Sequence, residues 1–160
     1  MGGAPRRLVA EAIGGRRDEA FLISKVYPLN ATVAGGGAPC ECSLERLRTD
    51  RLDLYLLHWC GTVPLAENMA DFMGLQAAGK IRHYGTSNLD LAALQEIWQA
   101  PVGPAIATNQ LLYTLAPRGI EKELLRGCAS GACRSWPIHP SSRPDSRAIR
   151  SSLNSHKLST

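Results

Sequence analysis

A chain of 160 residues, 44 % hydrophobic and 20 % charged, has the composition of one globular domain that buries roughly two thirds of its unfolded surface, and no apolar run approaches the about 18 residues of a membrane span. The opening MGGAPRR lacks the apolar core of a secretory signal, and five cysteines, odd in number and irregular in spacing, fit reduced thiols better than a disulfide framework, so a cytoplasmic location is expected. The net charge of +4 lies in the last stretch, where from Gly127 onward Arg134, Arg143, Arg147, Arg150 and Lys157 face Asp145 alone; the neutral remainder offers no basic face, and neither nucleic acid nor membrane is an expected partner.

In chain order, Leu8, Val9, Ala12 and Ile13 recur at helical spacing and stop at Gly14 and Gly15, which predicts a helix ending there. "AFLISKV", Ala20 to Val26, is an apolar strand closed by Pro28. Gly35 to Gly37 and Pro39 weaken a helix start, and Ser43, Leu44 and Leu47 continue a helical stripe up to Asp50. "RLDLYLLH" is the next strand. Pro64 suits the first turn of a helix with Leu65, Met69, Phe72, Met73 and Leu75 on one face and Gly79 at its end. "IRHYGTSN" is then a strand entering a polar turn, Asp90 to Trp98 an amphipathic helix, "AIATNQLLY" a strand, and Arg118 to Leu125 the start of another helix.

Helices and strands alternating over short connections predict parallel pairing with right-handed crossovers, and strands apolar on both faces agree. A doubly wound sheet and a barrel of eight such units both satisfy this. The dinucleotide fold would place G-x-G-x-x-G directly after its first strand, and "GGGAPC" at 35 to 40 meets neither condition. In the barrel, chemistry comes from the carboxyl ends of several strands. Lys25 and Gln110 lie near such ends, His58 at one, and Ser87 with Asn88 after another. Each has an ordinary account as a snorkelling lysine, a core histidine or a turn former; their repetition at equivalent positions favours a shared rim. A zinc site from Cys40, Cys42, His58 and Cys60 is disfavoured, because neither pair has the gap of about two to four residues usual in structural sites, and no metal is expected.

"LISKVYP", "RLDLYLLHW", "LQAAGKIRHYGTSNLD" and "ATNQLLYTLAPRGIEKELL", in this order and spacing, closely resemble the aldo-keto reductases, above all the bacterial ones. The resemblance covers about Leu8 to Leu125. It implies a (β/α)8 TIM barrel, here a partial barrel of about four β/α units over residues 1–126, and NADPH-dependent reduction of a small carbonyl substrate. By the same resemblance Lys25 matches the lysine whose cation stabilises a tyrosinate. His58 matches the histidine that hydrogen-bonds and orients the carbonyl. Ser87, Asn88 and Gln110 match the groups that hold the nicotinamide carboxamide, and Trp59 is either a wall of the substrate pocket or a packing residue.

Two departures qualify that expectation. The family's catalytic tyrosine and aspartate belong to a segment that would precede Arg6, so a barrel truncated at its start, with impaired catalysis, is expected; a non-catalytic fragment is the alternative. Residues 127–160 form a Ser/Arg-rich tail without helical or strand period, expected to be disordered. Permitted codons for Leu125 to Pro140, shifted by two bases, also read "AWLRERGLPVMAYSP", the helix, strand and Tyr-Ser-Pro of the family pattern, which makes the tail a candidate frameshift product. A partial barrel leaves strand edges unpaired, so self-association through them is expected.

Overall fold

The computed structural model describes residues 3–35, 37–101, 105–112 and 135–138. Helices α1 (Gly3–Ala12), α2 (Ala38–Leu47), α3 (Leu65–Ala77) and α4 (Leu91–Gln99) alternate with strands β1 (Ile23–Val26), β2 (Leu52–Leu57), β3 (Ile81–Ser87) and β4 (Ile106–Leu112), and β5 (Ser135–Ile138) follows. The sheet order is β1-β2-β3-β4-β5, parallel throughout. These are successive β/α units of a partial (β/α)8 barrel, with each strand beside its sequence neighbour.

β2 explains why a nearly continuous apolar run forms a strand: all six of its residues are buried, as both faces of a parallel sheet require. Tyr55 of β2 meets Phe72 of α3 with ring centroids 5.1 Å apart, and Phe72 meets Tyr84 of β3 at 6.1 Å. This row, with Leu57, Met69, Leu75 and Ile81, joins sheet to helix in the main apolar cluster. The charged exception inside β2 is Asp53, 2 % exposed. Its carboxylate accepts from Arg17 Nη2 at 2.8 Å, from the Leu22 amide at 2.8 Å and from Arg82 Nη1 at 3.2 Å, which satisfies a charge that burial alone would forbid.

β1 is shorter than the expected Ala20–Val26, and Pro64 stands at the N-cap of α3 rather than in its first turn; two differences are larger. α2 begins at Ala38, ahead of the Ser43 stripe and through the Gly-Pro stretch that argued against a start. Gly37 takes the left-handed region (φ 74°), Pro39 occupies the first turn, and a Cβ at Gly37 would lie 2.7 Å from Leu75 Cδ2, so glycine is required there. The second difference is β5. Ser135–Ile138 pairs with β4, Asn109 facing Ser135 and Leu112 facing Ile138, inside the tail for which no strand was expected. The rest of that tail, and the helix expected from Arg118, lie outside the described residues. Among the described residues no helix is long and apolar enough to cross a membrane.

Candidate functional site

Parallel strands deliver all their carboxyl ends to one end of the sheet. Lys25 of β1 is in register with Leu56 of β2, and Leu56 with Gly85 of β3. Strand alternation places Ser87 on the same face two residues beyond Gly85. The Lys25 ammonium reaches past β2 and donates to Ser87 Oγ at 3.0 Å. Gly85 sits at the register shift between β3 and β4; an added Cβ would lie 2.4 Å from the Thr108 carbonyl oxygen and 3.0 Å from Leu56 Cδ2. The close approach of β4 that brings Gln110 opposite Ser87 therefore depends on a bare backbone there.

His58 is the first residue after β2, and its amide donates to the Val26 carbonyl at 2.9 Å, extending the β1–β2 pairing by one step. Its ring stacks on Tyr27 (centroids 5.4 Å, planes 19° apart) and lies 4.6 Å from that of Trp59, which in turn is 4.9 Å from Tyr27. Beside these rings Tyr27, Pro28, Leu29 and Trp59 help to line a cavity of about 410 Å³. Trp59 is 44 % exposed, as a wall of an open cavity would be.

Burial, then the Lys25 ammonium, holds the His58 pKa below the ordinary histidine value, and burial likewise lowers that of Lys25. A neutral imidazole at pH 7 follows, with one N–H donor. The sign for stability is set by the unfolded chain, whose histidine takes up its proton first as pH falls. The contribution is whole above the ordinary histidine value and is lost on acidification. We therefore expect the His58 ring signals to titrate below that value in an NMR series, and the urea midpoint to drop between about pH 7.5 and 5.5 by less in His58→Gln than in the parent.

Ser87 is fully buried at the end of β3, and Asn88 turns the chain with a left-handed φ of 56°, a conformation Asn tolerates better than most residues. Its amide donates to the Gln110 carbonyl at 2.9 Å, its Oδ1 accepts from the Leu112 amide at 2.9 Å, and its Nδ2 donates to Ser87 Oγ at 3.3 Å. Asn88 thus fastens the turn to β4 as well as standing at the rim. Gln110 is 7 % exposed, and its buried Oε1 has no hydrogen-bond partner among the described residues. Such an orphan is costly unless a ligand's donor completes it.

One residue of this region was not singled out from the sequence. Asn109, fully buried, accepts at Oδ1 from Thr86 Oγ1 (3.1 Å) and the Leu89 amide (3.4 Å), and donates from Nδ2 to the Leu89 carbonyl (3.0 Å). It brackets Ser87 and Asn88 from both sides. An amide in an otherwise apolar strand, directly before Gln110, was the available signal. Lys25, His58, Trp59, Ser87, Asn88 and Gln110 are thus gathered at one end of the sheet. Among the described residues no group of three His, Cys, Asp or Glu comes together as a metal site.

A parallel β/α sheet with polar groups converging at its carboxyl end defines a barrel-type site, and the aldo/keto reductase family pattern matches residues 2–134. The chain belongs to the aldo/keto reductase family. It is 52 % identical over 126 residues to the methylglyoxal reductase YeaE of Escherichia coli K12, covering 79 % of this chain and 44 % of that protein. It is 37 % identical over 116 residues to the glyoxal reductase of Bacillus subtilis 168, covering 72 % of this chain and 41 % of that one. Among solved structures, an aldo-keto reductase from Klebsiella pneumoniae in complex with NADPH superposes with a TM-score of 0.82 at 46 % identity, over 86 % of this chain and 49 % of that one. The chain therefore spans less than half the length of these relatives.

Proposed function

We propose that this chain supplies part of the site of an NADPH-dependent carbonyl reductase that converts small aldehydes or ketones to alcohols. Dicarbonyls of the methylglyoxal class are the first candidates, since two similar proteins are reductases of methylglyoxal and glyoxal. The observation that carries the proposal is the convergence of Lys25, His58, Ser87 and Gln110 from four consecutive parallel strands. The residues fit a nicotinamide: the orphan Gln110 Oε1 is an acceptor for a carboxamide N–H, with Ser87 and Asn88 beside it. When bound, that cofactor supplies the hydride. In this reading neutral His58 donates to the carbonyl oxygen, Lys25 adds positive charge where negative charge develops, and Tyr27 and Trp59 wall the apolar side.

The test is a titration of the whole chain with NADPH, followed by fluorescence, and an assay of NADPH consumption with methylglyoxal. Gln110→Leu should weaken nicotinamide binding about tenfold, the worth of one hydrogen bond. Absence of any binding by the parent would overturn the proposal. The second reading, a non-catalytic self-associating fragment in the cytoplasm, is favoured by one observation: β1 is an edge of the described sheet, with backbone groups open to another strand. Sedimentation that stays monomeric at all concentrations would remove it.

A further inference from the structure

α3 packs an apolar face on the sheet, yet one fully buried position on that face is Asn68. Its Nδ2 donates to the Pro28 carbonyl at 3.1 Å and to the Ala31 carbonyl at 2.5 Å, residues 40 and 37 positions earlier in the chain. These carbonyls belong to the turn that follows β1, directly after Tyr27. Pro28 is also the seat of the turn after β2: a Cβ at Gly61 would fall 2.5 Å from Pro28 Cβ and 2.9 Å from its Cγ. The two arms that carry Tyr27 and Trp59 therefore meet at one buried proline. Its carbonyl is held by Asn68 and its ring is covered by Gly61.

We infer that Asn68 is a positioning residue: by locking the Pro28–Ala31 turn it holds Tyr27 flat against His58 and sets the wall of the cavity shared with Trp59. The side-chain chemistry is selective, because two carbonyl acceptors need two N–H groups from one amide. A hydroxyl offers one and a carboxylate none. Its part in catalysis rests on the carbonyl-reducing proposal, whereas the placement of the rings does not.

The test reads the His58 and Trp59 ring signals of the full chain by NMR, which needs no cofactor. Asn68→Leu should abolish the ring-current displacement of the His58 signals that stacking on Tyr27 produces. Gly61→Ala, which wedges the other side of Pro28 from a partly exposed turn, should move the same signals. Leu94→Ala, a buried truncation in α4, should lower stability and leave them in place. A folded Asn68→Leu chain with unmoved His58 signals overturns the inference. If that variant does not fold, unmoved signals in Gly61→Ala do so. Equal movement in Leu94→Ala overturns it as well, by reducing Asn68 to general stability. Moved signals in a chain that binds no NADPH would sink the carbonyl-reducing proposal and leave the positioning role standing.

Discussion

Phe72→Ala should leave a large fraction of the chain unfolded at room temperature. Phe72 is fully buried in α3 and sits between Tyr55 and Tyr84 on two adjacent strands, so truncation removes the ring that couples helix to sheet and leaves a cavity both tyrosines border. Phe-to-Ala changes in cores cost about 3–5 kcal/mol, and tilted aromatic pairs add about 0.5–1.5 kcal/mol each beyond area burial. Set against a typical net stability of about 5–15 kcal/mol, the loss consumes most of the margin. A urea titration followed by circular dichroism should show a midpoint far below the parent's with the same slope. An unchanged midpoint would mean that α3 is not fastened to the sheet through this ring.

Asp53→Ala is the second large effect, at about 3–5 kcal/mol, the cost of breaking a buried ion pair by removing one partner. The substitution strands Arg17, whose guanidinium also donates to the Ala20 and Arg51 carbonyls and to Thr49 Oγ1. It also leaves the Leu22 amide without the carboxylate it now donates to. Arg82, 55 % exposed at its side chain, turns to water at little cost. Most of the penalty therefore belongs to Arg17 and Leu22. The double variant Arg17→Leu/Asp53→Leu should recover part of the loss in the same denaturation assay, since replacing both partners by apolar groups removes the uncompensated charge.

Much of this architecture was legible in the sequence because parallel β/α units write a strong pattern: unbroken apolar strands, amphipathic helices and polar residues where strands end. Lys25, His58, Ser87 and Gln110 were visible for that reason, each at or near the end of a strand. Asn68 and Asn109 were not, because a buried amide declares its purpose only through the carbonyls and amides it meets, and those of Asn68 lie 37 and 40 residues away. The start of α2 was hidden by Gly37, read as a breaker when its left-handed φ is what turns the chain into the helix. β5 was hidden for a different reason. "SWPI" has no alternation and contains a proline, so its place comes from pairing with β4.

β2 carries a fastening at its entry, Asp53, and, just past its exit, His58, the imidazole of the proposed site, with only apolar residues between. At about 3.3 Å per residue the five steps separating them span roughly 16 Å, so the strand works as a spacer that keeps what secures the molecule away from the proposed site. Engineering for heat resistance therefore belongs around Arg17, Asp53 and Arg82, where tighter fastening leaves the imidazole and its neighbours untouched.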